Sequence, residues 1–254
     1  MKRVGYYCIN LVSAEDRKAS IQMLARQAAI DIEFVVAVEG ASLDIASVAS
    51  YDRRKRMRYM EDMEPNEIAC SLSHRRALQS FLAGASPFGV ILEDDAVFSP
   101  TIDSDIGRIL DSARGFDLLK LESRDDRGIR VKGGEEFHLF LPLKASNGAT
   151  AILYTRDGAR KVLESLNNFI YPFDTHLGFG WRLSLVCIAC WPPLVKENSA
   201  LQSTISGRKK SKRRKGFRCW LLARSERIGH SIMKRFYYLK VKYRITRRRD
   251  HEYL

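Results

Sequence analysis

The run Phe88-Gly-Val-Ile-Leu92 is apolar at nearly every position and is followed at once by three acids, Glu93-Asp-Asp95. A short apolar run without alternation predicts a central strand covered on both faces. It therefore demands helices above and below a sheet, with the acids at the strand's carboxyl end. In open α/β sheets ligands bind beyond such ends, because the loops diverge there and leave a crevice.

The flanking sequence supplies the remaining layers. Val4 to Ile9 reads as a strand; Ser13-Ala-Glu-Asp16 opens a helix running to about Ile30, and Ile32 to Val38 forms a second strand ending at Glu39-Gly40. Pro65 to Leu82 has helical periodicity with proline at its start. Further strands are predicted at Phe116 to Leu121, Ala149 to Tyr154 and Leu185 to Trp191, with a helix at Arg156 to Leu166. Strands alternating with helices predict an α/β fold built on a single, mostly parallel sheet flanked by helices. At 254 residues and 45% hydrophobic content the chain suits one catalytic domain plus an appendage.

Charge marks the boundary. From Gly207 to Leu254 there are 18 Lys and Arg against three acids, a net +15, which leaves −2 of the total +13 for residues 1–206. The expected division is a domain at 1–206 and a basic amphipathic tail at 207–254. Cations interleaved with Phe217, Trp220, Ile232, Phe236 and Tyr237 suit an anionic membrane surface. An unstructured extension is the alternative, and nucleic acid is disfavoured because no recognition motif accompanies the charge. A chain ending near Ser206 is then expected to keep its activity.

Five cysteines without dense spacing point to a reducing compartment, and Cys187-Ile-Ala-Cys190 lies in an apolar run that predicts core thiols rather than a zinc site. The apolar stretch at the amino terminus stops at Asn10, too short for a secretory signal. No run reaches the roughly 18–20 apolar residues of a membrane span. The expected location is intracellular and, at most, peripheral to a membrane.

Three acids at a strand end are costly unless a cation balances them. A divalent ion with hard oxygen ligands, manganese or magnesium, meets that need and neutralises charge on a leaving diphosphate. A helix cap or a solvated acidic cluster is the competing reading.

Several segments, in order and spacing, resemble glycosyltransferase family 25, which includes bacterial lipooligosaccharide-biosynthesis enzymes and collagen galactosyltransferases. They are Ile9-Asn-Leu11 with Glu15 and Arg17, Glu67-Ile-Ala-Cys-Ser-Leu-Ser-His74, Ile91-Leu-Glu-Asp-Asp-Ala96, Asn147-Gly-Ala-Thr-Ala-Ile-Leu-Tyr154, Tyr171-Pro-Phe-Asp174, and Pro192-Pro-Leu-Val195 with Gln202-Ser-Thr-Ile205. The resemblance implies a GT-A type fold, a UDP-sugar donor (most often UDP-galactose), a divalent metal with Mn2+ preferred over Mg2+, inversion at the anomeric carbon, and a lipid-linked oligosaccharide acceptor. It makes Glu93 the ribose contact and a metal ligand, Asp95 the principal metal ligand, and Asp94 a donor-side residue.

Inverting transfer needs a base for the acceptor hydroxyl. Asp174 matches the family's Pro-x-Asp element; a metal-supporting contact or a helix cap are its other readings, and His176 is the alternative base. Asn10, Arg17, Ser73, His74, Gln202 and Ser203 carry over as donor-side residues. Against this stand an ion pair of Arg17 near Glu15 and Asp16, and helix packing for Ser73 and His74. Rival functions are nucleic-acid binding through the tail and an inactive scaffold.

Overall fold

The computed structural model describes residues 3–59, 61–133, 137–142, 148–198, 229, 232–239 and 241. In chain order its elements are β1 (Val4–Asn10), α1 (Glu15–Gln27), β2 (Ile32–Val36), α2 (Arg53–Tyr59), α3 (Pro65–Ala83), β3 (Phe88–Glu93) and β4 (Ala96–Phe98). Then come α4 (Ile102–Ser112), β5 (Leu118–Lys120), β6 (Gly128–Gly133), β7 (His138–Pro142), β8 (Ala151–Thr155), α5 (Arg156–Ser165), α6 (Phe173–Gly178), β9 (Cys187–Trp191) and β10 (Val195–Glu197). Residues 232–239 are helical.

Eight strands form one sheet in the order β2-β1-β3-β8-β5-β9-β7-β6, and β10 pairs with β4 in a separate two-stranded ribbon. The sheet is mixed, which corrects the mostly parallel expectation. β1 pairs parallel with β2 and β3, as β5 does with β9, but β8 is antiparallel to both β3 and β5, and β7 to both β6 and β9. The reason lies in the connections. Successive parallel strands need a crossover of a dozen or more residues, usually a helix. Helices separate β1, β2 and β3, whereas no helix is described between β5 and β8, where the β6–β7 pair sits instead.

Side chains alternate across the strands and feed two cores. Tyr6, Cys8, Val90, Leu92, Ala151 and Leu153 face α1 and α4, meeting Ile21, Ile102, Ile106 and Ile109. Tyr7, Ile9, Ile91, Ile152 and Tyr154 face α3, α5 and α6, meeting Ile68, Leu78, Phe81, Val162 and Phe173. β3 is buried on both faces, with Val90, Ile91 and Leu92 at 2% exposure or less. At an apolar transfer value of about 25 cal/mol per Å2, each such side chain stabilises the fold by about 1.5–3 kcal/mol.

α4 went unassigned in the sequence reading, although Ile102, Ile106, Ile109 and Leu110 follow helical spacing and all are buried. The cysteine expectation holds in outline: Cys190 is buried in the first core and Cys187 packs against the second. Three residues apart on a strand, the two thiols leave opposite faces and share no ligand position.

Part of the segment beyond residue 207 packs into the first core. Tyr238 and Val241 are buried in the first core, while Ile232, Met233, Phe236 and Leu239 on the same helix are 50–67% exposed. Among the described residues, no helix is long and apolar enough to cross a membrane.

Candidate active site at the carboxyl end of the central strand

β3 ends at Glu93, whose backbone N–H donates to the Thr150 carbonyl at 2.9 Å, fixing the strand end against the start of β8. Beyond it the three acids diverge. Glu93 turns toward α3, where its Oε1 lies 3.1 Å from His74 Nε2 and 3.9 Å from Cys70 Sγ. One ligand atom from each of Cys70, His74 and Glu93 lies within 4.8 Å of the others, the one such group of three among the described residues. The His74 ring stacks on Phe173 of α6, with centroids 3.9 Å apart, and its Nδ1 is buried with no hydrogen-bond partner.

Asp94 turns the other way. Its Oδ2 accepts from Asn10 Nδ2 and its Oδ1 from Arg17 Nη1, both at 2.9 Å. Asn10 is placed by the end of β1, next to β3 in the sheet, and Arg17 by the first turns of α1. Arg17 therefore reaches the acidic group rather than pairing only with its sequence neighbours.

Asp95 is the charge problem of the site. Burial first, then the carboxylates of Glu93, Glu197 and Asp94, push its carboxyl up to about 7, with Arg17 offsetting part of the effect. Its Oδ1 is buried and accepts no hydrogen bond. Glu197 arrives because β10 pairs with β4, setting Glu197 opposite Ala96, and Asn198 N–H donates to the Asp95 carbonyl. A buried carboxylate oxygen without a donor, among acids, lacks a positive partner. A carboxylate oxygen in that position has the donor chemistry that suits a hard divalent cation.

A second strand end adds residues that the sequence reading missed. At the end of β5, Lys120 is buried and Glu122 nearly so; Lys120 Nζ donates to the Gly148 carbonyl at 2.6 Å and lies 3.9 Å from Glu122 Oε1. Glu122 Oε1 accepts from the Thr150 N–H at 3.1 Å. Burial raises the Glu122 carboxyl to about 7 against the opposing pull of Lys120, and burial lowers the Lys120 ammonium. The signal was available: Lys120-Leu-Glu122 closes an apolar strand with charge, as Glu93 closes β3.

Gly148 joins this group to Asp174. Its N–H donates to Asp174 Oδ2 at 3.3 Å, and its φ of +104° belongs to the region that favours glycine. Asp174 Oδ1 accepts from Thr175 N–H and Oγ1 within its own short helix. A cleft of about 190 Å3 opens beside these residues, lined by Glu122, Arg124, Gly148, Lys196 and Glu197 among others.

Other expected residues lie elsewhere. Ser73 Oγ donates to the Ala69 carbonyl and accepts from Val38 N–H, tying α3 to the segment after β2. His176 is buried, bonds through Nε2 to Ser165 Oγ at 2.8 Å, and is driven by burial down to about 4. Its ring is thereby held against α5. Gln202, Ser203 and most of the basic tail lie outside the described residues.

A protein from Aedes aegypti described as "Glycosyltransferase 25 family member" is 27% identical over 171 residues, 62% of this chain and 27% of that protein. The chain thus matches about a quarter of that relative's length. The crystal structure of S. aureus TarS 1-349 superposes with a TM-score of 0.41 and 13% identity over 74% of this chain and 58% of that one, too distant a likeness to carry an argument. Residues 4–177 match glycosyltransferase family 25 (LPS biosynthesis protein), so the chain belongs to that family.

Proposed function

We propose that this chain is an inverting, metal-dependent hexosyltransferase that moves galactose from UDP-galactose to a terminal sugar of a lipid-linked oligosaccharide. The observation that carries the proposal is Asp95, a buried carboxylate with an unsatisfied oxygen among other acids, at the end of the central strand. A cation bound there, manganese by preference, would neutralise charge on the departing diphosphate. Glu93 faces the ribose and, with Asp95, holds the ion. Asp94, anchored by Asn10 and Arg17, keeps the turn rigid and sets both neighbours.

Asp174 accepts the proton of the acceptor hydroxyl. Its support is its hydrogen bond to Gly148, which accepts from Lys120 and, with Glu122, lines the open cleft. Gln202 and Ser203 are proposed to complete the donor side. The basic tail holds the enzyme on an anionic membrane surface on the cytoplasmic side, where lipid-linked acceptors are displayed. Support comes from the exposed apolar face at Ile232, Met233, Phe236 and Leu239, flanked by lysines and arginines.

A thermal-shift screen of UDP-galactose, UDP-glucose and UDP-N-acetylglucosamine, with and without manganese, tests this reading. A manganese-dependent shift largest for UDP-galactose is expected. If no UDP-sugar shifts the melting temperature with either metal, the proposal fails.

A further inference from the structure

Cys70 and His74 stand one helical turn apart on α3, so both side chains leave the same face, and both meet Glu93 at the end of β3. Nε2 to Oε1 is 3.1 Å and Sγ to Oε1 is 3.9 Å. A tetrahedral zinc ion with bonds of about 2.0 Å to nitrogen and oxygen and about 2.3 Å to sulfur needs ligand atoms roughly 3.3–3.5 Å apart. Both distances to Glu93 are within a few tenths of an ångström of those values, and all three ligand atoms lie within 4.8 Å of one another. We propose that Cys70, His74 and Glu93 form a zinc site, and that its occupation withdraws Glu93 from the nucleotide donor. The second half rests on the reading of Glu93 as a donor contact.

Ligand chemistry separates this site from the hard-cation position at Asp95. Sulfur and imidazole select a borderline-soft ion, whereas carboxylates and phosphates suit manganese or magnesium. Asp95 does not belong to the three-residue group. Binding breaks the Cys70 S–H bond and forms a zinc–sulfur bond, the proton passing to solvent. The fourth position is left for water, since the Glu93 side chain is 29% exposed. His74 Nδ1 has no acceptor behind it. Lacking that outer support weakens binding by about 10–100-fold relative to a fully supported histidine. The site therefore responds to raised zinc and does not hold a permanent structural ion.

Cobalt(II) titration of the reduced full-length protein tests the site without any turnover. A thiolate-to-cobalt charge-transfer band, displaced by zinc, is expected in the wild type and absent from Cys70→Ser and Cys70→Ala. No band in the wild type, or an undiminished band in both folded variants, overturns the proposal. X-ray absorption of the zinc-loaded wild type needs no variant: one sulfur neighbour at about 2.3 Å supports the site, and nitrogen and oxygen neighbours alone refute it. For the inhibitory half, zinc should weaken manganese-dependent UDP binding at least tenfold in the wild type but not in Cys70→Ser. Undiminished UDP binding by zinc-loaded wild type refutes that half. If UDP fails to bind with manganese and no zinc, the transferase reading falls, and the cobalt band alone decides the zinc site.

Discussion

Arg17 Nη1 lies 2.9 Å from Asp94 Oδ1, although 77 residues separate the two in sequence. The pair joins the first helix to the turn after the central strand, and both side chains are less than one-fifth exposed. It offsets the charge of the middle acid of the triplet. Arg17→Met should lower stability by about 2 kcal/mol, because a desolvated carboxylate is left beside two others. Adding Asp94→Asn should restore much of the loss. A double-mutant cycle by urea denaturation measures the coupling, and strictly additive losses would dismiss the pair.

Asp95→Asn should abolish manganese-dependent UDP binding while the protein stays folded, since an amide is a poor ligand for a hard cation. With a chelator present the variant should also melt higher than the wild type at pH 8. A carboxyl raised to about 7 by burial and like charge penalises the folded state once it ionises, and asparagine removes that penalty. Isothermal titration with UDP and manganese supplies the first measurement. Unchanged metal dependence would exclude Asp95 as the ligand.

Asp174→Asn should reduce kcat by about 10²–10⁴-fold and leave donor affinity near that of the wild type. Asparagine retains an oxygen for Thr175, so the short helix should survive. Comparing turnover with UDP-sugar affinity separates the roles. Parallel losses in both would move Asp174 to the metal or donor shell.

His176 predicts a pH dependence of stability that is independent of catalysis. Burial lowers it to about 4 in the folded chain, against 6.5 when exposed. Above pH 6.5 the ring is neutral in both states and its contribution is fully present. As pH falls from 6.5 toward 4 the unfolded chain takes up a proton that the folded chain refuses, and stability drops by up to about 3 kcal/mol. His176→Gln should flatten that part of the denaturation-versus-pH curve; an unaltered slope would mean the ring titrates normally.

The carboxyl-terminal helix has two faces with different expected phenotypes. Tyr238→Ala should cost about 2–4 kcal/mol, because the ring is 8% exposed and shares a core with strands of the sheet. Phe236→Ser with Leu239→Ser should hardly change the melting temperature yet weaken binding to anionic vesicles, as these side chains are 67% and 60% exposed. Vesicle co-sedimentation and thermal melts read both effects. Full vesicle binding by the double variant would end the membrane reading. Ending the chain near Ser206 should destabilise it, contrary to the expectation from charge alone, since Tyr238 and Val241 would go with the tail.

The linear sequence determined the local elements and the strand that matters most. Phe88 to Leu92 announced a doubly covered strand because its hydrophobicity has no period, and the acids after it marked a site by position alone. The direction of β8 was not legible, since apolar Ala149 to Tyr154 looks alike in parallel and antiparallel pairing; the connections decide which one forms. The acids were legible as a run, but their divergence was not. Asp94 turns to Arg17, Glu93 to His74 and Asp95 to neither, because α1, α3 and β10 approach the strand end from different sides. Glu122, Glu197 and Gly148 join the site from strands and loops distant in sequence, and Tyr238 enters the core from a segment whose charge suggested a free tail. Periodicity and composition act over one or two turns of chain. Charge compensation, burial and ligand geometry depend on which distant segments are brought within a few ångströms, and only the tertiary fold sets that.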